Sequence, residues 1–153
     1  MAFLLPAPLH GPGITPDDVL AATQALATAL EIVDSRIADW RITLPDTIAD
    51  NASSAAVVLG DWIPLTQAPP LPATTATLTI NNTLIDQGTG TAVMGHPAAA
   101  VAWLANALAR YHTTLEPGQF IMSGSYTTAS FVAAGDHATA VITGLGPVTV
   151  SFE

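Results

Sequence analysis

Leu30-Glu31-Ile32-Val33-Asp34 is a short apolar, partly β-branched run with a carboxylate set inside it, and it reads as a β-strand. Alternation along a strand puts Leu30 and Ile32 on one face and Glu31 and Val33 on the other. A carboxylate in an otherwise apolar element is costly to bury unless it is paired or bound to a metal. Glu31 therefore has two readings: an ion pair with Arg36 or Arg41 (or a place at an exposed edge), or a metal ligand.

Upstream of this strand, Thr15-Pro16-Asp17-Asp18 is a helix start, with a capping hydroxyl, a proline in the first turn and two acids at the positive end of the dipole. The helix is expected to run to about Ala29. Downstream, Asp34, Arg36 and Asp39 hold a polar turn, and Ser54 to Leu59 reads as a second, buried strand. The proline-rich Gln67 to Pro72 is a surface connection. Thr77-Leu78-Thr79-Ile80, the turn-prone Asn81-Asn82 and Thr83 to Ile85 read as a β-hairpin. Pro97 opens a second helix, whose Val101, Leu104, Ala105 and Leu108 recur at helical spacing through Arg110. Phe120 to Met122, Ala138 to Ile142 and Val148 to Phe152 supply further strands. Many short strands with two main helices describe an α+β class, a β-dominated mixed fold.

Composition bounds the partners. Of 153 residues 50% are hydrophobic and 10% charged, so another subunit or a further segment is expected to cover part of the surface. A net charge of -9, with three arginines and no lysine, removes the cations that nucleic acid requires. No membrane association is expected, because an acidic surface repels anionic lipid and no uninterrupted apolar run reaches the length of a bilayer span. The N-terminal residues lack a basic region and a signal-peptide apolar stretch, which points to a cytoplasmic location. The absence of cysteine excludes disulfides, thiolate catalysis and cysteine-ligated metal.

Several motifs in register carry a resemblance. Ala29 to Ile37 is followed by Asp39-Trp40 and by Asp46-Thr47-Ile48-Ala49-Asp50-Asn51-Ala52-Ser53-Ser54. Gly88-Thr89-Gly90, Gly95-His96-Pro97, Trp103-Leu104-Ala105-Asn106, Gly118-Gln119-Phe120-Ile121, Ser123-Gly124-Ser125, Gly135-Asp136 and Gly144-Leu145-Gly146 come after them in order. The whole chain resembles the C-terminal part of the 2-keto-4-pentenoate hydratase and 4-oxalocrotonate decarboxylase family, within the fumarylacetoacetate hydrolase superfamily.

That resemblance implies the twisted β-roll of the superfamily and a Mg2+ or Mn2+ ion held by three carboxylates. The third of these corresponds to Glu31, and the other two form a Glu-Xaa-Glu pair that has no match in residues 1–153. The family's catalytic lysine has no counterpart either. The chain is therefore expected to be a single hydratase-like domain, 1–153, without the family's N-terminal region. The implied substrate is a small unsaturated 2-keto acid, handled through a metal-stabilised enolate by hydration or decarboxylation.

Asn51, Ala52 and Ser53 match a segment that lines the family's substrate pocket, which makes Asn51 and Ser53 the catalytic candidates and Ala52 a substrate-binding one. A capped turn is the alternative, since Asp50, Asn51 and Ser53 are good local backbone partners. Ser123, Gly124 and Ser125 match the second pocket loop, where small residues let backbone N–H groups approach an anion; by itself the motif is an ordinary turn. His96 reads as a helix cap, and His10, His112 and His137 as solvent-facing. Trp40, Trp62 and Trp103 read as core or interface anchors. Three functions are consistent with these residues: the metal-dependent lyase; a metal-independent cyclase, isomerase or binding protein using Asn51, Ser53 and Ser125; and a non-catalytic subunit on a complete relative. A homo-oligomer or a complex with a related subunit is expected.

Overall fold

A computed structural model describes all residues, 1–153. The strands are β1 (Ala2–Leu4), β2 (Ala25–Ala27), β3 (Ala29–Val33), β4 (Ser54–Leu59), β5 (Ile63–Pro64), β6 (Thr75–Ile80), β7 (Thr83–Thr89), β8 (Phe120–Met122), β9 (His137–Ile142) and β10 (Gly146–Ser151). The α-helices are α1 (Pro16–Ala21), α2 (Leu44–Ala49) and α3 (Pro97–Ala109). Two four-stranded sheets, ordered β5-β2-β1-β8 and β10-β9-β6-β7, form the body, and β3 pairs with β4 as a separate ribbon. Every pairing is antiparallel.

Phe3, Leu5, Val19, Leu26 and Val101 are fully excluded from solvent and centre the core between the first sheet and the two packed helices α1 and α3. Asn106 on α3 pins the chain ahead of α1, its Oδ1 accepting from the Ile14 N–H (2.9 Å) and its Nδ2 donating to the Ile14 carbonyl (2.8 Å). Gly11 passes this point so closely that a Cβ would lie 2.7 Å from the Ala105 carbonyl oxygen.

Thr15 caps α1 as the sequence predicts, and Asp18 completes a capping box with it, but α1 ends at Ala21 instead of Ala29. Ala25, Leu26 and Ala27 depart from the helix to pair with β1, and Ala25 and Leu26 pair with β5 as well. Burial of all three in the sheet overrides the helical preference of alanine. The hairpin closes through Asn81 (φ 50°) and Asn82 (φ 64°), the left-handed pair of a type I′ turn. The 90–109 stretch is apolar enough to cross a bilayer by composition. Its continuous helix has only 13 residues, roughly 20 Å against a hydrocarbon core of about 30 Å, and packs Ala98, Val101, Ala102 and Ala105 into the core.

The ribbon of β3 and β4, with α2 and two 3-10 turns at its far end, forms an arm over residues 29–59. β4 has the predicted limits but is not a buried strand: Ala55, Ala56 and Val57 are exposed, because the two-stranded ribbon belongs to neither four-stranded sheet. At the base of the arm the Gly60 N–H donates to the Thr28 carbonyl (2.9 Å), and the Thr28 hydroxyl donates to the Gly146 carbonyl (2.7 Å). A Cβ on Gly60 would lie 2.8 Å from the Pro147 carbonyl oxygen, so glycine lets the arm seat against β10.

Candidate functional site

Between the arm, the inward face of the second sheet and the 124–132 loop lies a cleft of ≈ 550 Å³. It stays open partly because three inward positions of β6 and β9 are Ala76, Ala138 and Ala140, too small to fill the space in front of them. Of its 27 lining residues 18 are hydrophobic, which leaves few polar groups to orient a ligand.

Glu31 is one of those few. It sits in the middle of β3 opposite Val57, lines the cleft and is exposed, so the expected penalty of a buried carboxylate does not arise. Neither expected ion pair forms: Arg36 Nε pairs with Asp50 Oδ1 (2.5 Å) and Arg41 Nη2 with Asp39 Oδ2 (2.5 Å). Its carboxylate is left unpaired, with no hydrogen bond inside the chain.

On the opposite wall, Gly124 and Ser125 follow β8. Gly124 adopts φ +99°, a left-handed conformation that favours glycine. The backbone N–H groups of Gly124 and Ser125 find no acceptor within the chain, while the Ser125 hydroxyl is committed to the Thr127 carbonyl (2.6 Å). Two adjacent free N–H groups suit an anion. Ser123 does not reach the cleft; it is buried, and its N–H donates to the Met1 carbonyl (3.0 Å). Tyr126, which sequence reasoning passed over, is buried in the cleft wall. Its hydroxyl lies 3.0 Å from the Thr74 hydroxyl, and desolvation raises its pKa.

Asn51, Ala52 and Ser53 lie at the far end of the arm and outside the cleft lining. All three are left-handed, with φ of 54°, 54° and 57°, a conformation costing roughly 1–2 kcal/mol per residue outside glycine. Such strain persists only where the surroundings impose it, and Asp50 does so here. Its Oδ2 accepts from the Ser53 hydroxyl (2.7 Å) and the Ser35 hydroxyl (3.0 Å), and Oδ1 accepts from Arg36 Nε. Arg36 also donates to the carbonyls of Asp50, Asp34 and Ser54, so the guanidinium clamps both ends of the turn. Hydrogen bonding, led by the Ser53 hydroxyl, holds the Asp50 carboxyl below the ordinary carboxylate range against the opposing effect of its burial. Ser53 is 1% exposed with its hydroxyl consumed by Asp50, whereas the Asn51 carboxamide is exposed and makes no hydrogen bond within the chain. The capped-turn reading is met only in that a local turn forms: the Asp50 and Ser53 side chains bond each other rather than the backbone of the turn, and Asn51 bonds neither. That reading did not foresee that a buried aspartate organises the turn.

His96 caps α3 as expected, its Nδ1 accepting from the Ala98 N–H (3.0 Å), and His10, His112 and His137 are exposed. The tryptophans are not core residues: Trp40 is 52% and Trp103 60% exposed, and Trp62 is half-buried against Phe120.

Residues 1–153 match the model of the fumarylacetoacetate hydrolase C-terminal family over their whole length. The chain belongs to this family. It is 44% identical over 152 residues to a 2-hydroxyhexa-2,4-dienoate hydratase of Comamonas testosteroni, covering 99% of this chain and 58% of the relative. It is 38% identical to a 4-oxalocrotonate decarboxylase of Pseudomonas sp. CF600, with the same coverage. The 4-oxalocrotonate decarboxylase of Pseudomonas putida G7, solved with magnesium and adipate, superimposes with a TM-score of 0.93 at 37% identity, over 99% of this chain and 58% of that one. The chain thus spans a little over half the length of these relatives, and the expected α+β fold of the fumarylacetoacetate hydrolase type is the observed one.

The fit of a divalent ion can be judged on the donor set. A hard cation takes about six oxygen ligands, and no three carboxylate or imidazole side chains converge anywhere in this family member. Within residues 1–153, Glu31 offers a single carboxylate at the cleft, too few oxygen donors to hold such an ion by itself.

Proposed function

We propose that this chain forms, as one domain over residues 1–153, the cleft-bearing part of a hydratase- or decarboxylase-type lyase acting on a small unsaturated 2-keto acid. One observation carries the reading: Glu31, whose carboxylate is unpaired, lines the same apolar cleft as Gly124 and Ser125, whose N–H groups have no acceptor within the chain. Relatives of both reaction types support it, at 44% and 38% identity.

Glu31 would hold a Mg2+ or Mn2+ ion together with ligands from outside residues 1–153. When bound, such an ion supplies Lewis-acid stabilisation of charge developing on a 2-oxo oxygen. The chain's own residues do the rest. Gly124 and Ser125 receive the substrate carboxylate through their N–H groups, and their small side chains let it approach. The alkyl walls exclude water from the unsaturated tail. Ser53, expected to be catalytic, acts instead on position: with Asp50 it fixes the left-handed turn, while Ala52 adds no bulk and Asn51 presents its carboxamide. Exposed Trp40, Leu44 and Ile48 on the arm favour association, as a homo-oligomer or with a related subunit.

Calorimetric titration of Mn2+ into the chain in the presence of 2-oxopentanoate tests the proposal. Glu31→Gln is expected to weaken Mn2+ binding at least about tenfold and to leave the unfolding midpoint unchanged. Equal Mn2+ binding by the variant would remove Glu31 from the site.

A further inference from the structure

We infer that Tyr126 is a positioning residue of the cleft: its buried hydroxyl, bonded to Thr74, fixes where the carboxylate-receiving N–H groups of Gly124 and Ser125 stand; this rests on the function proposed above. Gly124 and Ser125 are exposed and bridge two buried anchors, Ser123 before them and Tyr126 after. Ser123 is tied to the Met1 carbonyl through its N–H (3.0 Å). Tyr126 is tied by its ring, its hydroxyl and its main chain. The ring belongs to the apolar core cluster and also lines the cleft, a combination that no other aromatic side chain of the molecule shows. The hydroxyl lies 3.0 Å from that of Thr74, itself 1% exposed. The Thr74 proton is spent on the Leu71 carbonyl (2.6 Å), so Tyr126 donates and Thr74 Oγ1 accepts, with the Met1 sulfur 3.9 Å away as a weaker acceptor. Burial raises the phenol pKa above its ordinary 10.0, which keeps this donor protonated throughout the neutral range.

The main chain of Tyr126 is seated on β7. A Cβ on Gly88 would overlap the Tyr126 carbonyl oxygen, so this glycine of the Gly88-Thr89-Gly90 run admits the loop. On the same strand Asp86 Oδ2 accepts from both the N–H and the hydroxyl of Thr128 (2.8 Å each). The N–H groups of Gly124, Ser125 and Tyr126 all lack an acceptor within the chain, so they cannot hold this segment in place themselves. The anchors on either side hold it for them. Unpaired N–H groups occur again at Ala129 to Val132, but those residues are exposed and make no hydrogen bond. A ligand bound there would have to order the segment, which costs affinity. At 124–126 that ordering is already in place, and the Tyr126 hydroxyl is the part of it that one atom can remove.

Calorimetric titration of 2-oxopentanoate into the full chain with excess Mg2+ reads the effect. Tyr126→Phe keeps the ring and removes the hydroxyl, and is expected to weaken binding at least about fivefold. Thr74→Val removes the same hydrogen bond from the other side and should weaken binding equally. The double variant should lose no more than either single one, because the two hydroxyls act as one unit. Thr74→Ser keeps the acceptor and should restore the affinity of the unmodified chain, a rescue that loss of packing alone would not give. Unchanged binding by Tyr126→Phe and Thr74→Val would overturn the inference while leaving the proposed function standing. Losses that add in the double variant, or a Thr74→Ser chain as weak as Thr74→Val, would also overturn it, by showing that the pair does not act through its shared bond. Failure of the unmodified chain to bind 2-oxopentanoate would overturn the inference and the proposed function together.

Discussion

The body and the arm of this molecule are held together by different forces. In the body, Phe3, Leu5, Leu26, Val101 and their neighbours form one continuous apolar cluster. Over residues 29–59 the only buried residues are Asp50 and Ser53, both polar, and both ion pairs of the chain lie in that span. Apolar burial is non-directional and sums over many contacts. A network on one carboxylate depends on the position and protonation of a few atoms. The arm is thus the part that can be altered locally, and it carries Glu31 and Asn51, two of the side chains offered for chemistry.

The largest effect is expected from the body. Phe3→Ala removes a fully buried ring and should lower the unfolding free energy by about 3–5 kcal/mol, read from urea denaturation followed by far-ultraviolet dichroism. A change no larger than that of an exposed arm substitution would break the contrast.

Asp50→Asn should act in the opposite sense, small globally and large locally. The Asp34 N–H, which donates to the Ser53 carbonyl, should lose protection from hydrogen exchange while amides of β1 and β2 keep theirs. Retained protection at Asp34 would show that the left-handed turn holds itself.

Acidification probes the same network without mutation. The folded pKa of Asp50 lies below its ordinary value of 3.8, so its stabilising contribution is complete above that pH and is lost as pH falls through the lower, folded value. Asp46, in the capping box of α2, shifts in the same direction. Protection of the arm amides, taken relative to the intrinsic exchange rate at each pH, should be unchanged from pH 7 to about 5 and then fall at lower pH before that of β1 and β2. Simultaneous release of arm and body would contradict separate support.

The smallest thermodynamic effect is expected at Ile48, 72% exposed on α2: Ile48→Ser should change stability by no more than about 0.5 kcal/mol. If it also shifts the elution volume toward a smaller species, that face of the arm is a subunit contact.

Much of this architecture was legible in the sequence, and the rest was hidden for physical reasons. β3, β4, the Asn81-Asn82 hairpin, α3 and β8 to β10 announce themselves through local signals: β-branched runs, a turn pair that accepts positive φ, and a proline at a helix start. β1, β2 and β5 span three, three and two residues, too few for periodicity, and become strands only through partners as distant as Ala2 with Met122. The same non-local pairing shortened α1. Glu31 was identifiable because a charge inside an apolar strand is conspicuous. Asp50 was not, because its sequence neighbours are ordinary capping residues. Its distinction comes from Ser35 and Arg36, some fifteen positions away, folding back onto it.

The seat of the arm on β10 has a mechanical consequence. A six-residue strand is about 20 Å long, so a lever of that reach moves its tip by about 0.35 Å for each degree of tilt at its fulcrum. The Thr28, Gly60 and Gly146 hydrogen bonds, with the close passage of Gly60 past Pro147, are that fulcrum. Adding a single methyl at Gly60 would therefore be felt as a change in aperture at the distant end of the ribbon, far from the atom that was added.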